Sequence, residues 1–325
     1  MKEIIIEENE AGQRFDKFLS KYLSQAPKGF IYKMLRKKNI TLNKKKASGN
    51  EKLILGDTVL FFLSEETIAK FSRALYPDVL QIPLDIIYED PHILLINKPV
   101  GMLSQKSGKN DVSLVEYVTG YLLGNQSITK EMLRSFRPAV CNRLDRNTSG
   151  IVAAGKSLVG LQVLSAMFRM RSLNKYYLCL TAGKIKEKAC LKGYFHKNDK
   201  TNKVTISSEP IAAGLPVETE YKPISGNEQL TLLEVKLITG RSHQIRSHLA
   251  SIGHPVIGDP KYGDTIWNQR FFKKYKLTHQ LLHAYKIQMP IICGELSYLS
   301  NQTFKASLPD IFARILREEQ FKEDI

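Results

Sequence analysis

The chain is short of several things, and each shortage removes a class of protein. Its four cysteines, Cys141, Cys179, Cys190 and Cys293, lie far apart and form no C-x-x-C pair. Neither a disulfide framework nor a zinc ribbon is indicated. No apolar run approaches the roughly 20 residues that cross a bilayer. The start, Met1-Lys2-Glu3-Ile4-Ile5-Ile6-Glu7-Glu8, lacks the basic head and long apolar core of a secretory signal, so the cytoplasm is the expected location. There is no internal repeat, no low-complexity tract and no G-x-G-x-x-G run for a dinucleotide. Acidic residues are missing altogether from residues 28–46, where eight of 19 positions are basic. A solubilising face normally mixes signs, so this stretch points to a polyanion.

What is present is otherwise ordinary for a globular protein: 325 residues, 43% hydrophobic and 25% charged. The net charge of +16 makes RNA, DNA and anionic membranes the first partners to consider. A membrane binder needs a basic amphipathic helix, and residues 308–321 are mixed in charge. At about 100–200 residues per domain, two domains are expected. Residues 1–64 form the first, with 13 Lys/Arg against 7 Asp/Glu. Phe15, Phe18, Leu19 and Tyr22, then Ile31, Met34 and Leu35, fall at helical spacing, the second helix ending near Lys38-Asn39. Strands at 40–42 and 57–62 follow, with Asn43-Lys44 as a turn. Lys28, Lys33, Arg36, Lys37, Lys38, Lys44, Lys45 and Lys46 are expected to lie along a phosphate backbone, giving affinity without sequence preference. Residues 65–83, with Pro77 and Pro83, read as a linker to a second domain at 84–325.

That second domain mixes strands (84–88, 92–97, 150–154, 176–180, 204–206, 230–237) with helices (114–123, 158–170, 242–251, 309–319). Without a regular βαβ repeat, the pattern predicts an α+β fold on a mixed, mainly antiparallel sheet flanked by helices. Gly150-Ile151-Val152-Ala153-Ala154-Gly155-Lys156-Ser157 imitates a phosphate-cradling loop. The residues before it are polar and turn-like, and Ile-Val-Ala-Ala favours a strand that cannot wrap around phosphates.

Two segments carry chemistry. In Asn142-Arg143-Leu144-Asp145-Arg146-Asn147-Thr148-Ser149-Gly150 one carboxylate lies between two arginines, which favour its charged form. Such a group can be a nucleophile, a base or a cation stabiliser, or it can simply cap a turn. In the second segment, 237–255, a strand runs into Thr239-Gly240. Ser242 is placed to cap a helix, Ile245, Leu249 and Ile252 to form its buried stripe, and Arg246 and His243 to share another face. His243, His248 and His254 are five and six residues apart with no adjacent acid, so no metal site is expected, and core or surface histidines are the reading.

Together these pieces resemble the RluA family of pseudouridine synthases. Asn142–Gly150 is similar to its H-R-L-D-x-x-T-S-G motif, Lys175-Tyr176-Tyr177-Leu178-Cys179-Leu180 to K-x-Y-L-A-L, and residues 239–263 to the long T-G-R-T-H-Q-I-R motif, while Asn97-Lys98-Pro99-Val100-Gly101-Met102 fits the family's opening. In front of them, Arg14-Phe15-Asp16-Lys17-Phe18-Leu19, residues 40–45 and Gly56-Asp57 resemble the αL RNA-binding motif of the S-four type. Pro27-Lys28-Gly29 stands where that module has Ser-Arg-Ser, and Asn142 replaces the family's His. The resemblance implies isomerisation of uridine in RNA to pseudouridine, with Asp145 as the essential carboxylate. Tyr177 would stack on the base, Arg246 would pair with Asp145, and Arg143 would fill the gap left by the flipped nucleotide. It implies ribosomal RNA as substrate, transfer RNA being the other family choice, no cofactor and no metal, and a monomer is expected. A non-catalytic RNA-binding or ribosome-assembly protein on the same fold is the rival. A methyltransferase lacks its glycine-rich loop.

Overall fold

In the computed structural model, residues 1–72, 83–108, 110–198, 201, 203–210 and 214–321 are described. The chain opens with β1 (Lys2–Ile5), α1 (Phe15–Tyr22), α2 (Lys28–Arg36), β2 (Ile40–Leu42), β3 (Thr58–Phe61) and α3 (Glu65–Phe71). The three strands make an antiparallel sheet in the order β1-β3-β2. Phe15, Phe18, Leu19, Ile31, Leu35, Val59 and Phe61 form a separate core beneath it. Helix α2 stops at Arg36, sooner than expected, because Lys38 takes a left-handed conformation (φ 60°). Asn43 and Lys44 both have positive φ, as a two-residue turn between strands requires. The stretch expected as linker begins instead as α3. Ser64 accepts the Thr67 N–H at its start, and Ile68 joins the first core. Residues 73–82, the remainder of that expected linker, lie outside the described residues.

The larger part comprises β4 (Ile86–Glu89), β5 (Ile93–Lys98), α4 (Leu114–Gly124), β6 (Ala139–Val140), β7 (Ser149–Gly155), α5 (Leu158–Met170), β8 (Asn174–Ala182), β9 (Ala189–Asn198), β10 (Lys203–Ser207), β11 (Leu215–Gly226), β12 (Leu230–Leu237), α6 (Gln244–Ser251), α7 (Thr265–Tyr275), β13 (Leu282–Gln288), β14 (Thr303–Lys305) and α8 (Asp310–Glu318). One sheet runs β10-β9-β11-β12-β8-β13-β7-β5-β4, with β14 on β13 and β6 on β7. All its pairings are antiparallel except β7 with β13. The fold is α+β with a mixed sheet.

Strands β5 and β7 near its centre carry unbroken apolar runs because both faces are covered. Leu94, Ile96, Val152 and Ala154 face one core with α4 and α6, while Ile93, Leu95, Ile151 and Ala153 face another with α5. The phosphate-loop lookalike is β7, wholly buried. Gly150 has φ 112°, and a Cβ there would lie 2.2 Å from the Ala284 carbonyl oxygen, so only glycine lets β7 and β13 approach. Lys156 pairs with Glu89 at 2.5 Å, and Ser157 caps α5 by accepting the Gly160 N–H. Helix α6 starts at Gln244, not Ser242. Its N-cap is His243, held left-handed at φ 56°, and Ile252 falls beyond the helix and is 37% exposed. Among the described residues no helix is long and apolar enough to cross a membrane.

Candidate active site

Four neighbouring strands in the middle of the sheet bring the chemistry together. Ser149 at the start of β7 pairs with His283 on β13, His283 pairs with Leu178 on β8, and Tyr177 beside it pairs with Val235 on β12. The loop before β7 carries Asp145. The segment after β12 carries His243 and Arg246. Residues about 100 apart in sequence therefore line one cleft of about 770 Å³.

The loop bearing Asp145 is fastened on both sides. Ser104 Oγ donates to the Leu144 carbonyl and accepts the Leu144 N–H, each at 3.0 Å. The Arg146 carbonyl accepts the Gly101 N–H at 2.9 Å and Lys98 Nζ at 3.2 Å. Lys98 also donates to the carbonyls of Pro99 and Met102, both at 2.9 Å, and has no exposed surface. Burial lowers its pKa to about 8, against the opposing pull of the Asp145 charge. Below that pH three N–H donors meet three carbonyls; above it the neutral amine has only two. Activity is therefore expected to fall as pH rises through about 8. A pH–kcat profile checks this: the ionisation should vanish in Lys98→Met, leaving a low, flat profile.

Arg246 sits in the first turn of α6 between two carboxylates. Its Nη1 donates to Asp145 Oδ2 at 2.8 Å, while Nε and Nη2 grip Asp259 at 2.7 and 2.8 Å. Burial opposes the charge on Arg246, but Asp259 and Asp145 outweigh it and raise its pKa. Asp259 is fully buried and is also held by the N–H groups of Lys261 and Tyr262. Burial works against its charge too, and Arg246 overcomes it, lowering its pKa. The side chain of Asp145 is 25% exposed, reachable from the cleft without facing bulk water. Tyr177 is buried, and burial with the Asp145 charge raises its phenol pKa.

The two arginines flanking Asp145 in sequence do other things. Arg146 Nε donates to the Gly101 carbonyl at 3.0 Å. Arg143 is exposed in the cleft. Asn142 is committed to the scaffold: its side chain bridges the Ile151 carbonyl and the Ala153 N–H at 3.1 and 2.8 Å.

Several cleft residues had no distinct signal in sequence. Lys106, Arg171, Lys175, Lys197 and Arg241 line it together with Arg143, Arg146 and Arg246, and Asp145 is the only acid among its described lining residues. They come from five separate segments, so no local run of charge marks them. His243, read as a core or surface histidine, instead reaches within 4.0 Å of Asp145. His248 and His254 do not: they hydrogen-bond Thr219 and the Ala182 carbonyl. Among the described residues no group of three or more His, Cys, Asp or Glu could hold a metal ion.

The basic residues of the first unit lie apart from this cleft. Lys33, Arg36 and Lys46 line a groove of about 330 Å³ with Tyr32. Lys28, Lys37, Lys38, Lys44 and Lys45 are exposed and do not line it.

Comparison with known proteins agrees with this arrangement. Residues 92–251 match the family described as RNA pseudouridylate synthase. The ribosomal large subunit pseudouridine synthase C of Vibrio vulnificus is 35% identical over 298 residues, covering 87% of this chain and 86% of that one. The Vibrio parahaemolyticus protein of the same name is 33% identical, covering 87% and 86%. Human RNA pseudouridylate synthase domain containing 4 shares the fold with a TM-score of 0.58 at 19% identity, over 73% of this chain and 93% of that one. The chain belongs to the RluA family of RNA pseudouridine synthases.

Proposed function

We propose that this protein isomerises uridine to pseudouridine in large-subunit ribosomal RNA, in the cytoplasm and as a monomer, with Asp145 as its essential carboxylate. The observation that carries the reading is the 2.8 Å pair of Asp145 with Arg246 inside a cleft whose other charged lining groups, among the described residues, are cationic. A protein that had kept only RNA binding would have no need to hold one carboxylate among so many cations. The Vibrio relatives, by name, act on the large ribosomal subunit, which supports that substrate for this chain.

In the reaction the bond from ribose C1′ to uracil N1 breaks and one from C1′ to C5 forms. The C5 proton leaves and N1 gains one, so the formula is unchanged and nothing is oxidised or hydrolysed. Asp145, held ready by Arg246, acts on the flipped nucleotide at either the ribose or the base. Tyr177 stacks on the uracil. Flipping costs a few kcal/mol, and Arg143, exposed and planar, fills the vacated stack and hydrogen-bonds the neighbouring bases. The cleft cations draw in the phosphates on either side.

The αL-like unit adds affinity. Replacing Lys33, Arg36 and Lys46 with Gln is expected to reduce the slope of log K against log salt by about 2 to 3; an unchanged slope would show that this groove is not on the RNA. The overall reading is tested by mapping pseudouridines in RNA from cells with and without the gene. It predicts at least one site in large-subunit ribosomal RNA that is lost with the gene and restored by the purified protein.

A further inference from the structure

A neutral imidazole has one N–H donor and one acceptor nitrogen, and the hydrogen bond made by one nitrogen decides what the other can do. His243 is so decided. The Val204 N–H donates to the Tyr262 hydroxyl oxygen at 2.8 Å, and His243 Nδ1 lies 3.0 Å from the same oxygen. The hydroxyl proton needs an acceptor, and among the described residues Nδ1 is the one within hydrogen-bond reach, so the hydroxyl gives its proton to Nδ1. The proton of the imidazole is then on Nε2.

That nitrogen faces Asp145 Oδ2 at 4.0 Å. The separation is too long for a hydrogen bond, yet His243 lines the cleft, so the N–H addresses the space beside the carboxylate rather than the carboxylate itself. The backbone enforces this aim. His243 has φ 56° and ψ 15°, a conformation uncommon for a residue with a side chain and one that gathers at functional sites. Tyr262 stands edge-on to the ring, with centroids 5.7 Å apart. Burial lowers the proton affinity of His243, and Arg246 and Lys261 add to this, Asp145 and Asp259 opposing it. A cationic ring would also take Nδ1 away as acceptor for the Tyr262 hydroxyl proton.

Resting on the function proposed above, we propose that His243 is a further catalytic residue: a neutral imidazole whose Nε2–H donates to an oxygen of the target uridine bound against Asp145, with Tyr262 as the residue that sets its tautomer.

The test uses the full chain and an RNA that the wild type converts. That conversion, and its loss in Asp145→Asn, judges the functional reading independently of His243. His243→Leu should lower kcat at least about thirtyfold, with the separately measured RNA dissociation constant within about threefold. His243→Gln, whose amide N–H reaches the place of Nε2, should stay within about tenfold of the wild type. A smaller loss in His243→Leu, or a larger one in His243→Gln, overturns the proposal. Nitrogen-15 NMR of histidine-labelled wild type tests the tautomer without any substitution. The expected result is protonated Nε2 with bare Nδ1, and a protonated Nδ1 overturns it.

Discussion

Asp145→Asn is expected to lower the rate of pseudouridine formation by at least about 10⁴-fold, the scale of removing a principal catalytic group. The change is nearly isosteric. An asparagine can turn its carbonyl oxygen to Arg246, so the 2.8 Å contact survives as a weaker hydrogen bond. Arg246 keeps its two-pronged grip on Asp259, and the fold should lose little. Because one negative charge is removed from a cleft that otherwise repels cations, RNA affinity should hold within about threefold or rise slightly. Release of tritium from C5-labelled uridine reads the chemistry, and filter binding reads the affinity. A variant that turned over within tenfold of the wild type would remove Asp145 from the mechanism. Loss of binding in parallel with activity would make it a recognition group instead.

Much of this is legible in the sequence, for reasons that differ by element. Helix Leu158–Met170 and strand Leu230–Leu237 were read with their observed ends. One has an N-terminal Ser157 and a helical apolar period; the other is a mostly apolar run carrying the strand formers Thr231 and Val235. Strands β9, β11 and β13 were not recognised. Alternation in β9 and β11 is blurred by lysines and glutamates on a half-exposed face, whereas Leu282–Gln288 is buried on nearly every residue and shows no period. The three principal site residues were legible because each lies in a motif of its own. Their partners were not. Asp259 holds Arg246 from 13 residues away, Tyr262 sets His243 from 19, and Lys98 reaches Arg146 across 48. A hydrogen bond made across loops leaves no periodicity in the chain. Ile252 fits the helical spacing of the buried stripe but falls one residue past the point where the helix ends.

The ion pair between Arg246 and Asp259 allows stability and catalysis to be separated by substitution. Arg246→Met leaves the fully buried Asp259 without its guanidinium, held by the N–H groups of Lys261 and Tyr262; Asp259→Leu leaves Arg246 still paired with Asp145. Breaking a buried pair from one side costs about 3–5 kcal/mol, so each single variant should lose about 6–20 °C in thermal midpoint. Removing both charges together takes away the unpaired ion. The double variant Arg246→Met/Asp259→Leu should recover to within about 2 kcal/mol of the wild type, a coupling that a double-mutant cycle measures directly. Activity should not recover with it. In the double variant, as in Arg246→Met, Asp145 has lost the guanidinium that orients it, and both should turn over at least about 100-fold more slowly than the wild type. Recovery of both properties would reduce Arg246 to a packing element, since no cation would then be required at Asp145. Recovery of neither would mean that Asp259 also supports the turn through its backbone neighbours. Stability regained without turnover is the outcome that assigns the inner half of this arginine to the fold and its outer half, Nη1, to the carboxylate that meets the RNA.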